Sequence, residues 1–494
     1  MKIAELIKGL KLKEISGYVD LEIRDISIDS RKVSRDCLFV AIPGFKYDGH
    51  GFVEEAIKKG AICVVTQKKM KLPQGVTQII VENSREALPI ICRNFFGDPS
   101  RYLRLIGVTG TNGKTTTCFL IDSIMRFSGF KTSLITTVSS FIGKRPVAFD
   151  RTTPDALDLN RFLKESIKEG IEIVCMEVSS HSIDLHRVDF LDFDFFVFTN
   201  LSQDHLDYHK SMDSYFETKK KLFLKEYREL YGGRKAIINI DDSYGEKIAE
   251  VTDLDKILYS IIDPGVDIFA TNIRNKISGM EMDVYLSGYG KLRIFSPLCG
   301  YFNVYNILAS IGVSVSLGVD LDCVAEGIRA MEGVKGRLER IKLDGGITAV
   351  VDYAHTPDGL RKVLETLKST IEPGGRIICV FGCGGDRDRG KREIMGSISA
   401  TLADFTIITS DNPRSEDPES IMEMIEKGVI ETKSKNYIKE PDREKAIITA
   451  LDMAKKGDIV LIAGKGHEDY QEFKDFRIPF SDQEIVKKWA GQSG

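Results

Sequence analysis

Residues 103–117 have the sequence LRLIGVTGTNGKTTT, from Leu103 to Thr117. An apolar, β-branched run ends there in a loop of small residues, and a helical pattern follows from Cys118 to Phe127. A strand, a glycine loop and a helix N-terminus together hold a polyphosphate, because glycines let backbone N–H groups approach the phosphates and the helix dipole favours an anion. In such a site Lys114 reaches the outer phosphates, and the hydroxyl of Thr115 holds a magnesium ion.

The loop departs from the strict G-x-x-x-x-G-K-[ST] pattern, because Val108 stands where the first glycine is expected. The alternative is an ordinary turn between a strand and a helix. Gly113-Lys114-Thr115 at the end of a strand makes that alternative the weaker one. The sequence therefore predicts a nucleotide-binding loop at residues 110–116.

Composition limits the class of protein. The chain has 494 residues and a net charge of −4, with 42% hydrophobic and 29% charged residues. This predicts about three domains in a globular protein, with no global basic field to attract nucleic acid. No apolar run approaches the ~20 residues that span a bilayer, and Met1–Lys13 resembles a short amphipathic helix, not a signal peptide. Nine cysteines without a C-x-x-C pair indicate reduced thiols in a cytoplasmic protein without membrane insertion.

Strand, polar loop and helix alternate along most of the chain, which predicts an α/β fold with doubly wound parallel sheets. Turn-rich segments at 97–100 and 336–339 mark two boundaries. We therefore predict domains at 1–102, 103–335 and 336–494. In such folds the ligand groups lie at the carboxyl ends of the strands.

Polar residues follow the predicted strands of the middle region. Glu177 ends the strand 171–178, and His205 follows the strand 193–198. Glu177 could instead be a surface turn residue. Lys219 lies in a predicted amphipathic helix, 215–229, where a solvated helix face is the usual explanation of a lysine run. All seven histidines fall in polar segments near strand ends, which as a set favours site chemistry.

The C-terminal region repeats this arrangement at four predicted strand ends. Their loops begin at Asp352, Gly382, Ser410 and Gly464. Between the two regions, Asn303 and Asn306 lie one turn apart before the apolar helix 307–317. They could cap that helix or hydrogen-bond the edge of a base.

Several of these segments resemble the muramyl ligase family, which acts in peptidoglycan synthesis. The resemblance is carried by residues 110–115, 176–181, 200–207, 352–358, 381–392 and 464–471. It implies a UDP-substrate domain, a central P-loop ATPase-type domain with a parallel sheet, and a C-terminal dinucleotide-fold domain. The implied reaction is ATP-driven amide formation: ATP phosphorylates the terminal carboxylate of a nucleotide-linked dipeptide, and an amino group then attacks the acyl phosphate.

The resemblance also implies roles for individual residues. Lys114, Glu177, His205 and Lys219 would be catalytic, and two Mg²⁺ ions would be held by Thr115, Glu177, His205 and Lys219 as a carbamate. The ATP site would comprise Gly110, Thr111, Asn112, Gly113, Lys114, Thr115, Thr116, Asn303, Asn306, Arg337, Asp352 and His355. The substrate UDP-N-acetylmuramoyl-L-alanyl-D-glutamate would be held by Ile28, Ser30, Lys46, Tyr47, Thr152, Thr153, Ser179 and Arg187. The incoming amino acid would contact Arg387, Asp411, Asn412, Arg414, Gly464 and Glu468.

The motif Asp411-Asn412-Pro413-Arg414 resembles the diaminopimelate-adding branch of the family. meso-Diaminopimelate differs from lysine by one carboxylate, which the planar guanidinium of Arg414 could pair. Arg387 could take the other carboxylate, and Asp411 and Glu468 the distal ammonium. The alternative is that Arg414 is a surface residue in a turn.

Two other functions remain possible from the sequence. A folylpolyglutamate synthase shares the ATP loop, but such enzymes begin near that loop, whereas about 100 residues precede it here. A regulatory ATP-binding protein would need neither a second metal-ligand set nor an amino-acid site. The expected partners are ATP, the UDP-linked dipeptide and diaminopimelate, with no nucleic acid, and the protein is expected to be a monomer.

Overall fold

The computed structural model describes residues 1–44 and 47–492, so Lys46 lies outside the described residues. Contacts divide the chain into two compact units. The first comprises Met1–Phe269 and Leu308–Val324, and the second comprises Ala270–Ile307 and Ala325–Gly494. Each of the three predicted segments contains its own β-strands, but the exact boundaries at 102 and 335 stay a prediction.

The N-terminal segment forms a five-stranded sheet in the first unit, with strand order β1-β5-β4-β3-β2. β1 is antiparallel to β5 and the other pairs are parallel. The strands are β1 (Leu12–Ser16), β2 (Asp25–Ser27), β3 (Cys37–Val40), β4 (Ala61–Thr66) and β5 (Thr77–Val81), and the helices are α1 (Ile3–Leu6), α2 (Val53–Lys58) and α3 (Ser84–Phe96).

The rest of the first unit is built on a larger sheet, whose strands follow in the order β13-β12-β11-β6-β10-β7-β8-β9. The strands are β6 (Arg104–Thr109), β7 (Thr132–Ile135), β8 (Ser140–Ile142), β9 (Arg145–Val147), β10 (Ile173–Glu177), β11 (Phe193–Phe198), β12 (Gly232–Asn239) and β13 (Asp255–Ser260). The helices are α4 (Lys114–Phe127), α5 (Ala156–Lys168), α6 (Ser180–Asp184), α7 (Leu206–His209), α8 (Met212–Lys220), α9 (Arg228–Tyr231) and α10 (Ser243–Val251). Strands β6, β7 and β10 to β13 pair in parallel, so their carboxyl ends share one edge.

Two helix predictions in this region need correction. The helix after the phosphate loop begins at Lys114, one turn before the predicted Cys118, because the loop residues themselves form its first turn. The single helix predicted at 215–229 is wrong: α8 ends at Lys220, and Leu224 adopts an extended conformation before α9.

Strands β14 (Ile268–Lys276), β15 (Gly279–Leu286) and β16 (Gly290–Ser296) are successive neighbours, and β15 and β16 are antiparallel. The helices α11 (Tyr301–Ser316) and α12 (Leu321–Arg329) follow. α11 begins six residues before the predicted Ile307, so Asn303 and Asn306 lie inside the helix instead of at its cap.

The remainder of the second unit holds a six-stranded sheet with the order β17-β18-β22-β19-β20-β21 and a separate ribbon of β23 and β24. The strands are β17 (Glu339–Lys342), β18 (Thr348–Asp352), β19 (Ile377–Phe381), β20 (Phe405–Ile408), β21 (Tyr437–Lys439), β22 (Ile459–Ala463), β23 (Tyr470–Glu472) and β24 (Arg477–Pro479). The helices are α13 (Pro357–Thr370), α14 (Gly390–Leu402), α15 (Pro418–Glu431), α16 (Arg443–Met453) and α17 (Asp482–Gln492).

Strand β19 shows why the six-stranded sheet is covered on both faces. Ile377, Cys379 and Phe381 pack in one hydrophobic cluster, whereas Ile378 and Val380 pack in another. Successive side chains of a strand point to opposite faces, so both faces are buried and the strand is apolar throughout. The predicted doubly wound arrangement is confirmed. Across the ranges 1–44 and 47–492, none of the helices has both the length and the apolar character needed to cross a membrane.

Candidate active site

The phosphate loop joins β6 to α4 in the first unit. Gly110 has φ +142°, and a side chain there would collide with the hydroxyl of Thr199, so the position requires glycine. The Nζ of Lys114 folds back over the loop and donates to the carbonyl oxygens of Gly110 at 3.0 Å and Thr111 at 2.8 Å. The chain thus places an ammonium over a glycine loop at the start of a helix.

Glu177, at the carboxyl end of β10, lies directly beside this loop. Its side chain is buried, and its Oε1 accepts hydrogen bonds from the Thr115 hydroxyl at 2.7 Å and from the Thr137 N–H at 2.9 Å. The Thr137 hydroxyl donates to Oε2 at 3.1 Å. A hydroxyl and a carboxylate oxygen in contact are the donors that Mg²⁺ prefers, so these residues fit the predicted ion. Glu177 is not a surface turn residue.

Lys219 is also buried, with 1% of its surface exposed, which overturns the solvated-face explanation for this lysine. Its Nζ donates to the same Gly110 carbonyl at 3.0 Å and to the Thr109 hydroxyl at 3.3 Å. Burial, together with repulsion by Lys114, holds the pKa of Lys219 well below its usual value. The neighbouring Lys220 pairs with Glu217 at 2.6 Å.

His205 belongs to the same cluster. Its ring lies edge-on to those of His181 at 4.9 Å and Tyr215 at 6.0 Å, measured between ring centroids. The Lys219 Nζ lies 4.9 Å from the Tyr215 ring. Desolvation by its neighbours lowers the pKa of His205, although 43% of its side chain remains exposed. The lower pKa favours the neutral imidazole, the form that binds metals.

No group of three or more His, Cys, Asp or Glu residues within 1–44 and 47–492 is arranged to hold a metal ion. The predicted ligand set contains only two residues of these types, Glu177 and His205. Its other members are the Thr115 hydroxyl and a modified Lys219. An oxygen-rich set of this kind suits a hard cation such as Mg²⁺.

Four residues predicted to hold the UDP-linked dipeptide lie together beside Glu177. The Thr153 hydroxyl donates to the backbone carbonyl of Glu177 at 2.9 Å and accepts from the Ser179 N–H at 3.2 Å. Arg187 Nη1 donates to the Thr153 carbonyl at 3.0 Å. The hydroxyls of Thr152 and Thr137 are hydrogen-bonded to each other at 3.0 Å, and that of Thr137 also contacts Glu177.

The remaining residues predicted for this substrate lie on the N-terminal sheet and its loops. The Ser30 hydroxyl is buried and donates to Glu55 at 2.9 Å. Ile28 packs against the hydrophobic core of that sheet, so part of its role is structural. Tyr47 is exposed, and its ring meets that of Phe52 edge-on at 6.4 Å.

The residues predicted for the adenine and ribose lie in the second unit and form two groups. The Asn303 amide donates to the Cys299 carbonyl at 2.7 Å, and the Asn306 amide donates to Asn303 at 2.8 Å. Arg337 and His355 instead gather around Tyr353, with distances to its ring centroid of 4.8 Å from the Arg337 guanidinium and 4.6 Å from the His355 ring.

Asp352 belongs to this second group. Its carboxylate accepts from the N–H groups of Leu338 at 2.7 Å and Ala354 at 2.8 Å, while burial raises its pKa. These two hydrogen bonds fix the turn that carries Tyr353, which the sequence analysis did not select.

The loops predicted to bind the amino acid meet around Lys465, a residue that the sequence analysis missed. Its Nζ is fully buried and lies 3.0 Å from Asn412 Oδ1, 3.1 Å from Glu468 Oε2 and 3.9 Å from Asp411 Oδ1. Gly464 has φ +114°, and a Cβ there would meet the Asp411 carboxylate at 2.5 Å. Lys465 was detectable as the lysine between Gly464 and Glu468, three residues before the latter.

Arg414 sits in the same region with φ +51°. Its Nε donates to Glu472 at 2.9 Å and its Nη1 to the Gly385 carbonyl at 2.8 Å, so it connects the glycine-rich loop to β23. Arg387 is exposed, and its Nη1 donates to the Asp386 carbonyl at 3.1 Å. Arg414 is therefore held by specific partners and is not a free turn residue.

An ion pair between a buried arginine and a partly buried glutamate stabilises these loops. The guanidinium of Arg392 is fully buried and donates to both oxygens of Glu416, at 2.8 and 3.0 Å. Its Nη2 also donates to the Gly384 carbonyl at 3.2 Å, and Glu416 accepts from the Asp386 N–H at 2.6 Å. This pairing, missed from the sequence, fixes the glycine-rich loop against the 413–416 turn.

Comparisons with known proteins agree with this arrangement. Three family descriptions match successive parts of the chain: the Mur ligase family catalytic domain at 22–96, the Mur ligase middle domain at 108–314, and the Mur ligase glutamate ligase domain at 336–466. A Caldanaerobacter subterraneus subsp. tengcongensis protein named UDP-N-acetylmuramoyl-L-alanyl-D-glutamate–2,6-diaminopimelate ligase is 44% identical over 100% of both chains. A Clostridium tetani protein of the same name is 42% identical over 99% of both.

Solved structures give the same result. A UDP-N-acetylmuramoyl-L-alanyl-D-glutamate–2,6-diaminopimelate ligase is similar over 100% of this chain and 99% of its own, with a TM-score of 0.71 and 31% identity. Folylpolyglutamate synthase from Mycobacterium tuberculosis, in complex with ADP and AMPPCP, matches 76% of this chain and 91% of its own, with a TM-score of 0.60 and 17% identity. That match leaves about a quarter of the chain uncovered, whereas the relatives above match it throughout. On this evidence, the chain belongs to the Mur ligase family.

Proposed function

We propose that this protein joins meso-diaminopimelate to UDP-N-acetylmuramoyl-L-alanyl-D-glutamate in an ATP-dependent step of peptidoglycan precursor synthesis. The observation that carries the proposal is the position of Glu177. Its carboxylate contacts Thr115 of the phosphate loop, and its backbone carbonyl contacts Thr153, one of the residues predicted to hold the UDP-linked dipeptide. One strand end thus serves the nucleotide on one side and the acceptor carboxylate on the other.

The reaction has two steps. An oxygen of the dipeptide's terminal carboxylate attacks the γ-phosphorus of ATP, the bond to the bridging oxygen breaks, and ADP leaves. The amino nitrogen of diaminopimelate then attacks the acyl carbon, phosphate leaves with the bonding electron pair, and the nitrogen loses a proton.

Both reactants of the first step are anions, so the site must neutralise charge and hold them in line. Lys114 supplies a cation at the outer phosphates. Arg187 and the hydroxyls of Thr152, Thr153 and Ser179 orient the dipeptide.

Two magnesium ions supply Lewis-acid neutralisation of the phosphate charge when bound. Thr115 and Glu177 would hold the first ion, and Glu177, His205 and a carbamylated Lys219 the second. An ammonium cannot ligate a cation, whereas a carbamate is an anionic oxygen ligand.

The carbamate proposal is supported by the surroundings of Lys219. Lys114 and Lys219 both donate to the carbonyl of Gly110, each at 3.0 Å. Two ammonium groups on one carbonyl repel each other, and burial further disfavours the charged form of Lys219. The neutral amine is the form that reacts with carbon dioxide.

The amino-acid preference rests on the charges of the C-terminal loops. Asp411 and Glu468 carry two negative charges around one ammonium, that of Lys465. One negative charge is left over, which suits the distal ammonium of the incoming amino acid. Arg414 and Arg387 would take its carboxylates.

We further propose that the segments 1–102, 103–335 and 336–494 are the UDP-substrate, ATP-binding and amino-acid-binding domains.

The protein would work as a cytoplasmic monomer. All nine cysteines are free thiols, which supports a reducing compartment. Light scattering measures the molar mass in solution, and a monomer should give the mass of one chain, 55.3 kDa.

The direct test of the proposed reaction is phosphate release with purified protein, ATP, Mg²⁺, the UDP-linked dipeptide and meso-diaminopimelate. We expect release to require every component, and the product's mass to equal that of the dipeptide substrate plus diaminopimelate minus water. Phosphate release that is independent of both the dipeptide and the amino acid would contradict the proposal and would favour a regulatory ATPase.

A further inference from the structure

We propose that Arg85 binds the diphosphate of the UDP-linked substrate, a role that rests on the proposed function. The substrate has a uridine end and a muramyl-dipeptide end. Its diphosphate joins the two and carries two negative charges. The residues assigned to the two ends above lie on different elements of the first unit, and Arg85 interacts with a neighbour of each group.

On the uridine side, Arg85 holds the start of the loop that carries Tyr47. Arg85 lies in the first turn of α3, and its Nη2 donates to the carbonyl of Pro43 at 2.5 Å. The two ends of this loop are joined by a hydrogen bond from the Gly44 N–H to the Tyr47 carbonyl at 2.8 Å. The guanidinium therefore stands at the base of the predicted uridine loop.

On the dipeptide side, Arg85 belongs to a cluster of cations around Asp155. Arg151 Nη1 lies 2.7 Å from the Asp155 carboxylate, and Arg187 Nε lies 3.5 Å from it. Arg85 interacts electrostatically with Asp155, Arg151 and Arg187. Arg151 and Arg187 thus pair with this carboxylate, and Arg85 interacts with it electrostatically. Together the three arginines carry more positive charge than Asp155 balances.

The cluster is also partly removed from water. Burial lowers the pKa of both Arg85 and Arg187. A desolvated guanidinium is unfavourable unless an anion or another acceptor compensates for the lost water. Its planar fork suits the oxygen atoms of a phosphate, and Arg is less strongly hydrated than Lys. A diphosphate supplies the negative charge that balances this cluster, and the buried Arg187 Nε, which lacks a hydrogen-bond partner among the described residues, shows that room for another acceptor remains.

The test compares the binding of UDP with that of uridine, which has no phosphates, by calorimetry. Arg85→Ala should weaken UDP binding by about tenfold to a hundredfold, the range expected for a lost hydrogen bond to a charged group. Uridine binding should fall much less than UDP binding, because the nucleoside has no phosphates for the guanidinium to bind. Arg85→Lys should fall between the wild type and Arg85→Ala for UDP, since it keeps the charge and loses the fork.

Arg93→Ala is the matched control, because Arg93 lies on the same helix and stacks on Phe190 at 4.8 Å. It removes the same charge about 12 Å along the helix axis from Arg85 and should leave UDP binding unchanged. A similar loss in the control would mean that overall charge, not contact, determines affinity, and would overturn the proposal.

Two further outcomes would overturn the role of Arg85 alone: unchanged UDP binding in Arg85→Ala, or an equal loss of UDP and uridine binding. A wild-type protein that binds UDP no better than uridine would instead count against the proposed UDP-linked substrate itself. The two failures are therefore distinguishable.

Discussion

Lys114 is half-buried, and its Nζ donates to carbonyl oxygens of the phosphate loop, so we expect its removal to spare the hydrophobic core. We expect Lys114→Ala to lower turnover by at least about a hundredfold, the usual loss when a group that stabilises transition-state charge is removed. Phosphate release measures the effect, and thermal unfolding checks that the fold is intact. Retention of a tenth or more of wild-type turnover would refute the assigned role.

Lys219 should behave differently from its neighbour in the same helix. We expect Lys219→Ala to be nearly inactive, with partial recovery when a small carboxylic acid such as acetate fills the ligand position. Lys220→Ala is the matched control and should remain active, because Lys220 pairs with Glu217 and lies over the ring of Phe216, both in its own helix. A mass or crystallographic result that shows an unmodified amine in the active, nucleotide-bound enzyme would rule out the carbamate.

These lysines show what sequence can and cannot predict about single residues. Lys114 was assignable because the glycine loop and helix around it are contiguous in sequence. Lys219 was not assignable from its helix alone, because a lysine run normally faces solvent. Its buried Nζ contacts Gly110, which lies 109 residues earlier in the chain, and only the family resemblance pointed to it.

The loops at the ends of β20, β22 and β19 depend on one another, and Arg414 connects them. We expect Arg414→Ala to raise the KM for diaminopimelate and to lose most of the preference over lysine. Glu472 would still pair with Arg477 at 2.6 Å, so the loop should keep its place. Arg477→Ala, which removes the exposed partner of the same carboxylate, should discriminate as well as the wild type. Undiminished discrimination in Arg414→Ala would contradict the assignment.

Helices α16 and α17 are joined by a bidentate ion pair that is fully buried. Arg443 Nε and Nη2 each lie 2.8 Å from an oxygen of Asp482, and Nη2 also donates to the Ala463 carbonyl at the end of β22. Arg443→Met would leave Asp482 buried without its partner. We expect a loss of about 3–5 kcal/mol in the free energy of unfolding.

The single tryptophan, Trp489, lies on α17, so its fluorescence in urea reports on this part of the chain. Lys362→Met, which breaks the exposed pair of Lys362 and Asp358, is the control and should cost at most about 0.5 kcal/mol. An equal loss in the free energy of unfolding for Arg443→Met and Lys362→Met would contradict the prediction, because it would mean that the buried ion pair matters no more to stability than the exposed one.

The elements themselves were predictable where hydrophobic runs end in polar turns. Strands β10, β11, β19 and β22 were located correctly for this reason, and with them the strand ends that carry the proposed site residues. The helix at 215–229 was predicted too long, because periodicity does not reveal the extended Leu224. The strands β14 to β16 were not predicted at all. The Arg392–Glu416 pair escaped prediction because its partners lie 24 residues apart and neither carries a motif.

Across the entire chain, the sequence led to the correct family and to an α/β fold with separate sheets. What it could not supply was the way in which residues from different loops share one partner. Lys465 among Asn412, Asp411 and Glu468 is one example, and the arginines around Asp155 are another. Such groupings follow from the sheet order, which places distant strand ends side by side.

In the proposed reaction, meso-diaminopimelate is joined to the UDP-linked dipeptide at the expense of ATP. The most direct test measures kcat/KM for phosphate release with meso-diaminopimelate and with L-lysine, each with the dipeptide substrate present. An unpaired buried charge costs a few kcal/mol, so we expect a preference for diaminopimelate of roughly a hundredfold or more. Comparable values for the two amino acids would contradict the account.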